Sequence, residues 1–585
     1  MLEPENGIRS HVTARVGVSL GELERAVGVR LSAMDAEDYP KRLLAKDTSL
    51  WSRDPSIQEA VGKRLGWIGL EDKARDSVDD LTSWVGDLHD KGVRQAVLLG
   101  MGGSSLCPLV FRESLYEGPP NIDLTVLDLI HPAAVADVED IFRKPSEAVF
   151  LVSSKSGTTI ETLSFYQYFS ERFAPDQFVA VTDPGTPLEK LAQDCGFGRV
   201  FEAPPDLGGR YSAFSAFGLV PAALMGLKVR RLLDRARAMY TACAAKGRRS
   251  AERPGLWLGA VLAEAALAGR DKLTFFISPE IASVGTWFDQ LVAESTGKDG
   301  KGILPVVGEE ISEPEAYGDD RLFVHLRLPG DAGSATEKMV DDLESAGHPV
   351  VRFYLDDPYD LGCEMLRWMF ATAVAGAILR VNPFDEPNVT DAKTRTKQLL
   401  EAYEREGELP EPAPSVMDGD LRLFADEDLR RLAVDGAVSD WLAAHLGRLR
   451  KGDYFSILAY LPESPAVEQS LRNLQKRVRD ATGVPVTVGY GPRYLHSTGQ
   501  LHKGGPNTGS FLLLTVDSKQ DLPIPGKSYS FGVLERAQAI GDEQALRDNG
   551  RRVARCHLGA AGAEKGLGLL GRRMLAAMAG VKKVF

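Results

Sequence analysis

Residues 153–159 read Ser-Ser-Lys-Ser-Gly-Thr-Thr, which places five hydroxyls, one ammonium and one glycine in seven consecutive positions. The run follows the apolar strand "AVFLVS" and opens the helical pattern "TTIETLSFYQYFSERF". Hydroxyls and backbone amides at a helix start can satisfy several oxygens of one phosphate, and the helix dipole adds to them. The plain alternative is a Ser/Thr N-cap, but a cap uses one hydroxyl and leaves the surplus unexplained. A second junction, "LLGMGGSS", puts Gly100, Gly102 and Gly103 between a strand and a helix, where glycines let backbone approach a ligand closely. It is not the dinucleotide fingerprint, because Ser105 stands where the third glycine belongs, and no Gly-Lys-Ser/Thr of a P-loop follows. Alone it is as well explained by a tight turn. Two ligand-ready loops in one sheet are far less expected by chance.

These loops need a rigid frame, and the hydropathy pattern supplies one. Strands "KGVRQAVLLG", "IDLTVLDL", "AVFLVS", "QFVAVTD" and "VFEAP" alternate with helical segments, which predicts an α/β doubly wound parallel sheet. A long helical region covers roughly 226–269, and a second strand series starts at "KLTFFIS". "MLRWMFATAVAGAIL" is apolar on all sides and reads as a buried core helix. The Pro-rich stretch within 409–420 reads as a linker, followed by "YFSILAYL", "VPVTVGYG" and "GSFLLLTV".

At 585 residues the chain holds several domains, with 44% hydrophobic and 26% charged residues, as in globular proteins. A net charge of −13 argues against nonspecific nucleic-acid binding, so an anionic ligand would need a local positive site. Five scattered cysteines without a CxxC pair fit a reducing, cytoplasmic compartment. The nine histidines show no HxxxH or HExxH spacing, so no metal site is expected. The first 17 residues lack the apolar core of a signal peptide, and no membrane span is expected.

"GMGGSS", "SSKSGTTIET", "GGRYSAFSAFGLVPAALMG" and "DQLVAESTGKDGKGILPV" together resemble the phosphoglucose isomerase family, and they occur in that family's order. "RLLAKDTSLW" and "LHSTGQLHKGGPNTG" look most like the isomerase half of transaldolase–phosphoglucose isomerase fusions, though no transaldolase barrel of about 250 residues fits in the roughly 45 leading residues. The resemblance implies two SIS-type doubly wound domains, each a three-layer αβα sandwich, joined by helical segments. It also implies hexose 6-phosphate substrates, no cofactor, and a homodimer whose histidine comes from the partner subunit. The domain reading is 1–50 as an N-terminal helical or linker segment, 51–250 as the first domain, 251–550 as the second, and 551–585 as a helical tail.

Carried over residue by residue, the likeness gives Gly103, Ser104, Ser154, Lys155, Ser156, Thr158 and Thr159 phosphate and sugar contacts, and Gln290 a substrate contact. Ser156 and Gly157 depart from the family's usual Ser-Lys-Thr-Phe-Thr-Thr. Arg210 is expected to stabilise an enediolate, and Glu294 to be the base that moves a proton between C1 and C2. Without the likeness, Glu294 would read as a helix-end carboxylate with an intrahelical or lysine partner. "HSTGQ" implies His496 for ring opening, and "VNPFDEPNVTDAK" implies Lys393 as its helper. In this chain the lysine motif precedes the histidine motif, the reverse of the usual order, so a local permutation inside the second domain is expected. His502 and Lys503 lie close by and could be mistaken for the pair, and Glu386 stands where many members have glutamine. The implied reaction is reversible isomerisation of glucose 6-phosphate and fructose 6-phosphate. An isomerase that also takes mannose 6-phosphate, and a non-catalytic sugar-phosphate sensor, are the alternatives.

Overall fold

A computed structural model of the chain describes residues 16–115, 122–142, 144–433 and 436–584. Most of the N-terminal segment weighed above as a leader therefore lies outside the described residues. Sixteen strands form three sheets among the described residues. The chain divides into two compact units. The first comprises Met1–Asp128, Phe142–Gly308 and Arg321–Asp385, and the second comprises Leu129–Ile141, Glu309–Asp320 and Glu386–Phe585.

The first unit holds two sheets. In one, β2 (Gln95–Gly100), β3 (Asp123–Leu127), β4 (Ala148–Ser153), β5 (Phe178–Thr182) and β6 (Arg199–Glu202) run parallel in the order β3-β2-β4-β5-β6. The chain moves from β2 outward to β3 and then returns past β2 to β4. This reversal opens a crevice at the carboxyl ends of β2 and β4, the place where such sheets bind ligands. Both loops singled out in the sequence leave the sheet there. In the other sheet, β1 (Val16–Ser19) lies antiparallel on an edge, and β7 (Lys272–Ile277), β8 (Leu304–Val306), β9 (Arg321–Arg327) and β10 (Val350–Tyr354) run parallel, in the order β1-β10-β9-β7-β8. The N-terminal segment thus supplies an edge strand besides its helices. One continuous apolar cluster fills this unit.

The apolar helix expected from "MLRWMFATAVAGAIL" is Leu361–Leu379, buried along nearly its whole length. Extended to Pro358–Leu379, it is long and apolar enough to cross a membrane, but 89% of its apolar 18-residue window is buried inside the protein, as a core helix is.

The second unit has one sheet, ordered β11-β12-β16-β15-β13-β14. Its parallel strands are β13 (Tyr454–Tyr460), β14 (Val486–Tyr490), β15 (Gly509–Thr515) and β16 (Arg552–His557). Two short antiparallel strands, β11 (Val416–Asp418) and β12 (Leu421–Ala425), extend it beside β16.

The α/β class and parallel sheets agree with the sequence reading, and the described residues form three sheets. The strands expected to form one permuted domain over 251–550 fall into two sheets, one in each unit. The NPFD segment lies in the first unit, whereas the HSTGQ segment follows β14 in the sheet of the second unit. An apolar run specifies a buried strand but not which sheet it joins, and the Pro-rich linker lies between the two series. The 551–585 tail begins with β16 and ends in the helix Ala563–Met578, which packs on Val438–Leu446 and Pro465–Thr482.

Candidate active site

The hydroxyls after β4 are used mostly to build the loop itself. Ser153 Oγ donates to the carbonyl of Ser104 at 3.1 Å, which ties the loop after β4 to the loop after β2. Ser154 Oγ accepts from the Gly157 amide at 3.1 Å and shares a hydrogen bond of 2.9 Å with Thr159 Oγ1. Ser156 Oγ does the same for the Thr158 amide and hydroxyl, at 3.3 Å and 2.9 Å. Thr159 is the N-cap residue of helix Ile160–Ser170 by position, yet its hydroxyl makes no capping bond. The simple cap reading is therefore not what the loop does. Ser156 and Thr158 lie at the surface end of the loop, so this preformed turn offers its hydroxyls outward. The Lys155 ammonium is taken up by Asp183, whose carboxyl burial pushes above its usual range despite that partner.

Gly157 has φ +66°, and a Cβ there would come within 2.7 Å of the Leu188 amide. Gly103 is pressed on the next motif: a Cβ would sit 2.2 Å from the Gly209 carbonyl oxygen. Only glycine permits these two approaches. The second brings "GGSS" directly against "GGRYS" and hence against Arg210.

Arg210 and Glu294 meet inside the first unit, with Arg210 Nη1 3.3 Å from Glu294 Oε2 and side chains only 2% and 8% exposed. Glu294 ends a π-helical turn, Asp289–Glu294, that also carries Gln290, and both side chains are buried. Such turns are rare and cluster at functional sites, because the widened turn re-aims side chains away from α-helical register. The helical spacing of "DQLVAESTGK" gives no hint of it.

Arg210 is held by more than Glu294. Its Nε donates to Ser295 Oγ at 2.9 Å, and its Nη2 donates to the carbonyls of Pro383 at 3.0 Å and Asp385 at 2.8 Å. Lys298, 3% exposed, ion-pairs with Asp385 at 2.8 Å and also donates to the Asn382 carbonyl. The aromatic rings of Trp51 and Tyr211 pack on Phe384 with centroids 5.2 Å apart in each pair. Burial pushes the Tyr211 phenol up to about 12, so it stays neutral. Ser295, Lys298, Asn382 and Asp385 were not picked out from sequence. The Asn-Pro and Asp-Gly turn signals beside the motifs were the available clue.

The second unit places His496 and Lys393. His496 closes the short 3-10 turn Arg493–His496 that follows β14, and it is half-buried. Lys393 is exposed on the helix Pro387–Glu406, for which Glu386 is the N-cap residue. The two segments are stapled together: Gln500 accepts from the Asn388 amide at 2.9 Å and donates to the Asn388 side chain at 2.8 Å. The two competitors have other work. His502 is 2% exposed, its Nδ1 lies 2.9 Å from the Tyr454 hydroxyl, and burial together with the Lys503 and Arg551 charges holds it well below the usual imidazole range. Lys503 is buried against Asp542 at 2.5 Å, and Asp542 also accepts from Tyr494 at 2.6 Å. Among the described residues, no cluster of three or more His, Cys, Asp and Glu side chains is arranged to hold a metal ion.

The fold is shared with solved structures. A hypothetical protein from Thermus thermophilus superposes with a TM-score of 0.55 at 24% identity, covering 65% of this chain and 99% of that one. The glucose-6-phosphate isomerase of Chlamydia trachomatis gives 0.53 at 17% identity, covering 65% and 87%. Residues 69–300 match the phosphoglucose isomerase family model. Proteins named glucose-6-phosphate isomerase from Carboxydothermus hydrogenoformans and Rubrobacter xylanophilus are 28% and 27% identical over 63% and 61% of this chain, and 91% and 96% of their own lengths. Over these residues the chain is similar to the phosphoglucose isomerase family. The matched residues include the loops after β2 and β4, Arg210, Gln290 and Glu294; Lys393 and His496 lie beyond them.

Proposed function

We propose that the chain interconverts glucose 6-phosphate and fructose 6-phosphate. The observation that carries this reading is the buried Glu294–Arg210 pair, at 3.3 Å, on a π-turn within the family-matched residues. The phosphate is assigned to the Ser154–Thr159 turn with Ser104 beside it, so that binding energy far from the reacting carbons positions them. His496, helped by Lys393, moves protons between the ring oxygen and the anomeric hydroxyl to open the ring; an imidazole suits both directions near neutral pH. Glu294 removes the C2 proton from the open aldose, giving a cis-enediol, and returns it to C1. The electron pair from the broken C–H bond enters the C1–C2 double bond, and the charge that builds on oxygen is met by Arg210. The substrate is both oxidised and reduced, so the step balances without an outside electron carrier. A homodimer in the cytoplasm is part of this proposal.

A coupled assay for glucose 6-phosphate formation from fructose 6-phosphate tests it. Wild type should turn over, and Glu294→Gln should lose about 10³-fold or more in kcat while keeping its fold. An inactive wild type overturns the enzyme reading, and an active E294Q removes Glu294 as the base.

A further inference from the structure

A buried ammonium is costly unless it is paired, so the position of Lys298 calls for a reason. Its partners are Asp385 and the Asn382 carbonyl, the two ends of the segment Asn382–Asp385. That segment is also closed from within. Asn382 Nδ2 donates to Asp385 Oδ2 at 2.8 Å, and Asn382 Oδ1 accepts from the Phe384 amide at 3.1 Å. Its outward carbonyls, Pro383 and Asp385, each accept from Arg210 Nη2. With Nε on Ser295, the guanidinium plane is fixed and Nη1 is aimed at Glu294. Lys298 itself is set by a backbone bridge with Lys301 across the turn Asp299–Gly300, both at positive φ (53° and 70°).

We propose that Lys298 is a positioning residue for Arg210, acting through Asp385 and the 382–385 segment. The proposal rests on the isomerase reading above. Arg210 must present its charge where the enediolate oxygens form, and backbone carbonyls can hold it there only while their segment is pinned. Without the ammonium the segment keeps its internal bonds but loses its anchor, and Nη1 is no longer held on its line. Substrate phosphate binding, which uses the loops after β2 and β4, should be spared.

Lys298→Met tests this with two inhibitors: a five-carbon phosphorylated hydroxamate, planar like an enediolate, and sorbitol 6-phosphate, which carries the phosphate on saturated carbons. We expect kcat to fall about 30-fold with KM within about threefold. The hydroxamate should weaken by about the same 30-fold and sorbitol 6-phosphate by less than about threefold. A kcat within about threefold of wild type, or equal weakening of both inhibitors, overturns the proposal. If K298M does not fold by circular dichroism, Asp385→Asn decides. It keeps the carbonyl that receives Arg210 and should lose about tenfold in kcat with the same split between inhibitors, whereas an unchanged kcat overturns the role. Calorimetric binding of the hydroxamate needs no turnover. An inactive wild type therefore strikes the isomerase reading, while equal hydroxamate binding by wild type and K298M strikes the role of Lys298.

Discussion

Glu294 and Arg210 illustrate why residue type alone was a weak guide. "AESTGK" on a helical pattern suggests a solvated carboxylate with a lysine partner, yet the carboxylate is buried and faces an arginine 84 positions earlier in the chain. Only the family motifs singled it out, because no local spacing records a contact of that range. The competing histidines are separated by burial. His502 sits among Tyr454 and Phe511, with the latter ring centroid 5.0 Å away, whereas His496 is half-buried at the end of a short turn. His502→Ala should therefore cost about 2–4 kcal/mol of stability in urea unfolding, by removing packing and a buried hydrogen bond. His496→Ala should leave the unfolding midpoint nearly unchanged and slow cyclic substrate by about 10²-fold or more, while sparing open-chain substrate. Equal losses on both substrate forms would remove the ring-opening role.

At the scale of elements, strands and the turns that leave them were readable, because alternation of apolar strand and polar helix start is a local signal. The two loops singled out in the sequence leave the sheet where the order of strands reverses between β2 and β4. What could not be read was the π-turn at Asp289–Glu294, since one added residue per turn leaves no compositional mark. Gly157 shows how sharply one loop is specified. Gly157→Ala demands a left-handed alanine and a shift of the chain at Leu188. Its KM for fructose 6-phosphate should rise about tenfold, the ~1.4 kcal/mol cost of that conformation, with kcat less affected. An unchanged KM would mean that the turn does not bind the phosphate.

On the scale of the molecule, no sequence pattern marks 129–141 and 309–320 as belonging with residues beyond 386, because which unit a segment joins depends on contacts far away in the chain. The second unit also carries a pH dependence of stability with two opposed limbs. Burial raises the Glu535 carboxyl to about 8, with Asp521 adding to the shift. The folded state keeps that proton while the unfolded chain releases it near its ordinary value, so stability falls as pH rises from about 4.5 to 8. Burial lowers His131 and His557 to about 4, so their contribution is present above 6.5 and is lost as pH falls toward 4. Glu535→Gln should flatten the alkaline decline of the unfolding midpoint between about pH 5 and 8 and leave the acid side as it was. A wild-type decline in E535Q would assign it to other groups.

The discontinuity of that unit bears on how the protein is made. Leu129 belongs to the apolar cluster of the second unit, and Glu309 accepts from the Val486 amide at 3.4 Å while the Glu310 carbonyl receives Arg479. A ribosome releases the 129–141 and 309–320 segments well before the strands they are destined to meet. For much of its synthesis, the nascent chain must therefore carry apolar surface, that of Leu129 included, whose cover in the folded unit comes from residues 386–585.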